Sequence, residues 1–383
     1  MRFGDIANYE DSKNKLISSH RNNRVGHSML FLGEEGCPAL AMAIAFAQYL
    51  SCENREAGDS CGICRSCAKF EKLAHPDLHF YYPTATSKKV PKKALSQHYA
   101  EEWRNFLKDS MHVSLSRWLA YMDTDKKDAI IPTEDSLMVI RDLSLKSFES
   151  PYRFAIIWLP ERMNVHSSNR LLKIIEEPPD NVFFFLVSQN EENVLPTIVS
   201  RTQIVRIGRM KIEAMREWLK STYPERSESE RAFAVKYSQG NALKALEAMD
   251  LENDHTAQAQ QFIEWARLCY ALPRKLPEIL HWSEDMSSKK RSEQRSFLNY
   301  GLDFLRAGLL NQNMASGLIN AFPEEEDHIR NFSGLLNLDN SALLLEEFND
   351  ALSNLGRNAN AKILFMHLSN RFGKLINPKN VNL

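Results

Sequence analysis

Short apolar runs alternating with helical stretches constrain this chain more than any other feature. SMLFL at residues 28–32 ends at Gly33 and predicts a buried strand followed by a turn. FAIIWL at 154–159, VFFFLV at 182–187 and the short stretch 204–207 have the same character. Residues 39–50, rich in Ala, Leu, Met and Phe, predict a buried helix directly after the first strand. SSNRLLKIIEE predicts a second helix between the next two strands, stopped by Pro178 and Pro179. Strands that alternate with helices predict a parallel sheet covered on both faces. After about residue 209 the strand signals stop. Residues 211–250 fit two or three short helices, and from about 256 the pattern is helical to the end. Leu344, Phe348, Leu352 and Leu355 fall at helical spacing, as do Leu364, Leu368, Phe372 and Leu375, which predicts core stripes.

At 383 residues the chain is too long for one ordinary core, so two or three domains are expected. No apolar run approaches the roughly 20 residues of a bilayer span. MRFGDIANYEDSKNK has no apolar signal core, so the expected compartment is the cytoplasm. A formal net charge of −1 argues against a lone, non-specific DNA binder. Any DNA contact is expected to be local or made within a complex.

Four of the six cysteines, Cys52, Cys61, Cys64 and Cys67, lie in one short stretch, while Cys37 and Cys269 stand apart. Four thiolates close a tetrahedral structural zinc site and leave no open position for catalysis. Gly58 and Gly62 let the chain fold back around an ion. Free thiols in a loop are the alternative. His75 is a possible substitute ligand, but Pro76 and Asp77 after it suggest a turn.

The stretch Gly33-Glu-Glu-Gly-Cys-Pro-Ala-Leu40 sits where a phosphate-binding loop of the form GxxxxGK[ST] belongs. Aligned on Gly33 and running past Gly36, it has Pro38 for the second glycine, Ala39 for the lysine and Leu40 for the hydroxyl residue. Pro38 has no N–H for a phosphate oxygen, Ala39 has no charge, and Leu40 cannot ligate magnesium. Glu34 and Glu35 add repulsion. After the strand at 154–157, where a hydrolase places acidic residues, stand Trp158 and Leu159. Glu161 is out of register and is expected to be a surface carboxylate. Residues 84–130 interrupt the alternation as an insertion, part loop and part helix. Its basic run, Lys88, Lys89, Lys92 and Lys93, is expected to be solvated surface rather than a nucleic-acid contact.

These residues resemble the bacterial DNA polymerase III clamp-loader family of AAA+ proteins. HSMLFLGEEG, preceded by Arg24, is similar to the strand and loop that open its ATPase domain. The four-cysteine module after the first helix resembles the family's zinc module, and His75-Pro-Asp77 follows it in the familiar place. NRLLKIIEEPP at 169–179 is close to its NALLKxLEEPP helix. Ser200-Arg201-Thr202 occupies the place of its Ser-Arg-Cys motif, and NANAK at 358–362 resembles a signature opening its last collar helix. The resemblance is strong over 1–83 and 131–208, moderate to about 250 and weak beyond. It does not include the insertion.

The resemblance implies an AAA+ α/β domain with a zinc module at 1–208, a helical lid at 209–252 and an all-α collar at 253–383. It implies a hetero-pentameric ring with gamma/tau motor subunits, a delta subunit, a sliding clamp and primer-template DNA. ATP in such a ring is held by one subunit and completed by an arginine of the next; Arg201, with Ser200 beside it, is the implied trans group. Asn169, Lys173, Glu176 and Glu177 are implied at the subunit interface. The degenerate loop selects the zinc-bearing, non-hydrolysing delta-prime branch over the motor subunits. So does Leu243, where motor subunits carry an arginine. An active AAA+ ATPase and a standalone zinc protein in DNA repair are the alternatives; the latter leaves LLKIIEEPP, Ser200-Arg201 and the helical tail unexplained.

Overall fold

The computed structural model describes residues 1–56, 58–124, 128–250, 252–312, 326–357 and 359–377. Asn358 of the NANAK stretch lies outside them. The chain divides into two compact units. The first comprises Met1–Arg226 and Ser238–Ala245, the second Ser227–Tyr237 and Leu246–Leu383.

In the first unit, β1 (Ser28–Leu32), β2 (Leu78–Tyr81), β3 (Arg153–Trp158), β4 (Val182–Ser188) and β5 (Gln203–Arg206) form one sheet. Its order is β2-β3-β4-β1-β5. Every pairing is parallel, with Leu30 beside both Leu186 and Ile204 and Ile156 beside Phe185. The strands predicted at 28–32, 154–159, 182–187 and 204–207 are β1, β3, β4 and β5. The strand β2, LHFY, carries no apolar run and was not foreseen.

Successive strand residues point to opposite faces, and two apolar layers result. Phe31, Phe154, Ile156 and Phe185 face α1 (Glu10–Arg21) and α2 (Ala39–Ser51). Leu30, Ala155, Ile157, Phe184 and Leu186 face α6 (Thr133–Ser144) and α7 (Val165–Glu176). All thirteen residues of α2 are buried. Its small Ala41, Ala43, Ala45 and Ala47 let the helix approach its neighbours, while Ile44 and Phe46 each contribute about 2 kcal/mol by leaving water. The insertion is ordered by its own aromatics. It carries α4 (Ala100–Asp109) and α5 (Leu115–Tyr121); α3 (Arg65–Glu71) precedes it. Trp103 stacks on Tyr82 at 3.9 Å and meets Trp118 edge-on at 5.0 Å. After β4 come the short α8 (Pro196–Val199) and, past β5, α9 (Ile212–Thr222).

After residue 209 the described residues form helices joined by turns, with no strand among them, as expected. They include α10 (Glu228–Ser238), α11 (Ala242–Asp250), α12 (Glu252–Tyr270), α13 (Leu276–Ser288), α14 (Arg291–Gln312), α15 (Glu326–Ser333), α16 (Leu338–Gly356) and α17 (Ala361–Ile376). Trp265, fully buried, centres the second unit; its indole donates to Ser369 Oγ at 2.8 Å. Leu344, Phe348, Leu355, Leu364, Leu368 and Phe372 are buried around it, and Leu352 and Leu375 pack partly buried against them. At Gly301 any Cβ would overlap the Phe348 ring, so glycine sets how closely α14 approaches α16. Among the described residues no helix is long and apolar enough to cross a membrane.

Candidate functional site: thiol cluster, closed loop and exposed arginine

Cys52 caps the C-terminus of α2 and Cys64 caps the N-terminus of α3, accepting from the Cys67 N–H. The connecting turn passes Gly62 in the left-handed region, φ +75°, where glycine is unstrained. Together these bring the four sulfurs of Cys52, Cys61, Cys64 and Cys67 within 4.8 Å of one another. A zinc–sulfur bond of about 2.3 Å implies sulfur–sulfur edges of about 3.8 Å. Cys52–Cys61 at 3.5 Å and Cys61–Cys67 at 4.0 Å bracket that value. Backbone N–H groups of Cys61, Cys64 and Cys67 point at the sulfurs of Cys52, Cys61 and Cys64 at 3.3–3.4 Å. Such donors favour thiolates. The N–H groups of Ile63 and Cys64 bring the Cys61 thiol down to about 6, while burial pushes Cys67 up to about 12. Among the described residues this is the one cluster able to hold a metal ion. His75 is not part of it; its Nδ1 accepts from the Asp77 N–H in the turn that was expected. Cys37 and Cys269 are isolated buried thiols.

The loop 33–38 lies at the carboxyl end of β1, where open parallel sheets bind ligands. Here it is held shut by the protein. His112, from the insertion, donates through Nδ1 to the Gly36 carbonyl at 2.9 Å. Burial holds its imidazole near pKa 4, so it is neutral and the hydrogen bond fixes the tautomer. The Leu115 N–H at the start of α5 donates to the Glu35 carboxylate, whose pKa burial raises. Asn241 Nδ2 donates to the Glu35 carbonyl at 2.6 Å. Arg209 pairs with Glu34 at 2.7 Å, and the Cys37 thiol donates to the Gly208 carbonyl at 3.3 Å. Gly36 has φ +88°, and a Cβ there would overlap the Asn241 amide. Pro38, Ala39, Leu40 and Leu243 are buried; Gly33 sits so close to the Ile207 carbonyl and Cys37 that a Cβ would be crowded.

The end of β3 is equally committed. Trp158 packs against Trp103 of α4, ring centres 5.3 Å apart. Leu159 is buried with φ +57°. Glu161 corrects the sequence reading. It is half-buried rather than a solvated surface carboxylate, and burial raises its pKa. Its partners are the Ser188 side chain and the Gln189 backbone at the end of β4. Of the basic run, Lys89 pairs with Glu102, and Lys88, Lys92 and Lys93 are exposed, as expected of solvated surface.

Arg201 is exposed just after α8. Its Nε binds Glu176, and its Nη1 donates to the Thr197 carbonyl at 2.9 Å and to Ser200 Oγ at 3.3 Å. That leaves Nη2 without a protein partner among the described residues. Asn169, Lys173, Glu176 and Glu177 lie on α7 and just past its end, with Glu176 exposed beside the guanidinium. Arg201 and α7 are therefore one surface, brought together by residues 176 and 201.

Sequence reasoning missed His112 and Trp218, whose rings meet edge-on at 5.4 Å beside the loop. No local pattern marks either of them. Asn241 stood in a stretch already singled out for Leu243, but its amide contact with the loop was not legible.

A family model described as DNA polymerase III, delta subunit, matches residues 9–211, more than half of the chain. The DNA polymerase III subunit delta' of Bacillus subtilis is 26% identical over 204 residues, 53% of this chain and 49% of that protein. The chain thus spans about half the length of that relative. The delta' subunit of Escherichia coli K12 is 25% identical over 279 residues, 70% of each chain. A gamma-subunit-related protein of Thermotoga maritima is a solved structure with 16% identity and a TM-score of 0.43, covering 96% of this chain and 100% of its own. With the matched span containing the thiol cluster, the closed loop and Arg201, the chain belongs to the delta-prime family of DNA polymerase III clamp-loader subunits.

Proposed function

We propose that this chain is the non-hydrolysing subunit of a DNA polymerase III clamp loader, supporting the loading of a sliding clamp onto primed DNA in the cytoplasm. The observation that carries the reading is the closed loop. In place of phosphate-binding groups, the 33–38 loop meets His112, Leu115 N–H, Asn241 and Arg209 from its own chain. The position of the magnesium acids is filled by Trp158 and Leu159 under the insertion. The insertion thus does sterically what the substitutions Pro38, Ala39 and Leu40 do chemically. Gamma/tau proteins are also among the relatives, at 24% identity, but a hydrolysing role requires phosphate and magnesium ligands in this loop, and these residues supply none.

Arg201 then serves a neighbouring subunit's nucleotide. Two N–H groups on Nη2 remain to meet a phosphate, while Glu176, Thr197 and Ser200 hold the rest of the guanidinium. A planar fork so held stabilises charge growing on a transferred phosphoryl group. The partners are gamma/tau motor subunits, delta, the clamp and, through the complex, primer-template DNA in a hetero-pentameric ring. Residues 1–208 act as an AAA+ type domain, 209–252 as a lid and 253–383 as the collar that joins the ring. Cys52, Cys61, Cys64 and Cys67 hold a structural zinc, which supplies no chemistry beyond tying the end of α2 to the start of α3.

The test has two arms. Calorimetry of the isolated chain with magnesium-ATP should show no binding and no turnover. Mixing with gamma/tau and delta should give a stable complex. Micromolar ATP affinity, or failure to enter the complex, refutes the reading.

A further inference from the structure

Helix α2 is apolar from Ala39 to Ala47 and then carries a single amide, Gln48, which is 1% exposed. An amide taken out of water is costly unless it is hydrogen-bonded, so its presence there is explained by its partners. Gln48 lies one turn before Cys52, and side chains four apart stand one above the other on a helix face. It therefore borders the thiol cluster. The Met1 α-ammonium donates to its Oε1 at 3.2 Å. Its Nε2 donates to the Oγ of Ser60, the residue before Cys61, at 3.2 Å. The same side chain hydrogen-bonds the Cys67 thiol.

These contacts fix which way the amide points. An ammonium can only donate, so Oε1 is turned to Met1 and the two hydrogens of Nε2 are turned to Ser60 and Cys67. Ser60 is held from behind, its N–H donating to Asp59 Oδ1 at 2.7 Å, and Asp59 also accepts from the Phe3 and Gly4 N–H groups at 3.1 and 2.7 Å. Cys67 is the most deeply buried of the four cysteines, 0% exposed. Burial pushes its thiol up to about 12, while the Gly62 N–H and the Gln48 side chain draw it the other way. A metal needs the thiolate, and hydrogen bonds to the sulfur favour that form. The sulfur that burial disfavours most as a thiolate is thus the one beside the helix's buried amide.

Resting on the zinc reading of the cluster, we infer that Gln48 is a positioning residue of the metal centre. Its Nε2–H holds the Cys67 sulfur as a ligand and disperses the negative charge that four thiolates leave around a divalent ion. Retention of the ion then depends on a side chain that is not itself a ligand, as is general for groups bonded to metal ligands.

The full chain is labelled with ¹⁵N, loaded with ¹¹³Cd in place of zinc, and read by NMR. The Gln48 side-chain amide proton is expected to couple to cadmium through the Cys67 sulfur, as the Cys64 backbone N–H couples through the Cys61 sulfur. Gln48→Met assigns the resonance. It keeps the length of the side chain without the donor, and should release zinc to a chromophoric chelator about tenfold faster than wild type. In the cobalt-loaded variant the sulfur-to-metal charge-transfer band should move to lower energy, because a thiolate without its donor holds its electrons less tightly. Ser60→Ala leaves the Gln48 contact with Cys67 in place and should not move the band. Absence of cadmium coupling at Gln48, in a chain whose backbone amides show theirs, overturns this inference alone. So does unchanged zinc release in Gln48→Met, or an equal band shift in Ser60→Ala. A wild-type chain that takes up no metal overturns the zinc reading and this inference with it.

Discussion

Replacing His112 with Phe tests the closed loop where it is most exposed to failure. The variant keeps an aromatic ring against Trp218 but removes the donor to the Gly36 carbonyl. A buried carbonyl left without its partner costs about 1–3 kcal/mol, so the variant should be less stable by about 2 kcal/mol at neutral pH. The pH dependence adds a sharper feature. Burial, with the Arg117 charge nearby, lowers the folded-state pKa of His112 to about 4, against the ordinary histidine value of 6.5. A depressed pKa means that the unfolded chain binds the proton more readily. The stabilisation is therefore complete above about pH 6.5 and is lost as pH falls towards 4. At 1.36 kcal/mol per unit, the wild type loses about 2.5 kcal/mol between pH 7 and pH 4.5 through this group. The His112→Phe protein has no such group and loses nothing through it. The stability difference should therefore shrink to about zero or reverse by pH 4.5. Asp135, whose carboxyl burial raises to about 6, acts in the opposite direction in both proteins and cancels in the comparison. Hydrogen exchange at amides of β1 and α2 reads the first unit directly. A difference between wild type and variant that does not change with pH would refute the buried neutral imidazole, and with it the lock on the loop.

Protein purified without added metal should contain about one equivalent of zinc, and Cys64→Ser should lose it with several kcal/mol of stability; retention of full zinc and stability counts against the site. Glu176→Ala should lower the complex's ATPase modestly in the wild-type background and not at all in Arg201→Ala, because Glu176 acts only by orienting that guanidinium; equal losses in both backgrounds would mean a separate structural role. A chain ending near residue 250 should fail to join the motor subunits in gel filtration; normal assembly would remove the collar role from the helical tail.

The strands with apolar runs were legible because burial on both faces leaves continuous hydrophobic sequence, as in FAIIWL and VFFFLV. The strand β2 was not, since LHFY lies at the sheet edge, where His79 and Phe80 are only half-buried. The thiol cluster was legible because its ligands are close in sequence. The insertion's role was not. Its decisive contacts, His112 with Gly36 and Trp103 with Trp158, span 76 and 55 residues, and no spacing rule reaches that far. Glu161 was misread for the same reason, because its hydrogen-bond partners, the Ser188 side chain and the Gln189 backbone, lie at the end of β4.

The central claim, an arginine supplied to a neighbour by a chain without an ATP site of its own, is tested most directly by the ATPase rate of the reconstituted, DNA- and clamp-stimulated complex with Arg201→Ala. Such arginines are worth about a thousandfold or more at one phosphoryl-transfer site. With one interface of several altered, the overall rate should fall clearly but by much less, while the ring still assembles. Lys at the position should rescue poorly, since a point charge cannot reproduce the fork. An assembled Arg201→Ala complex that hydrolyses ATP and loads clamps at the unaltered rate would contradict the account.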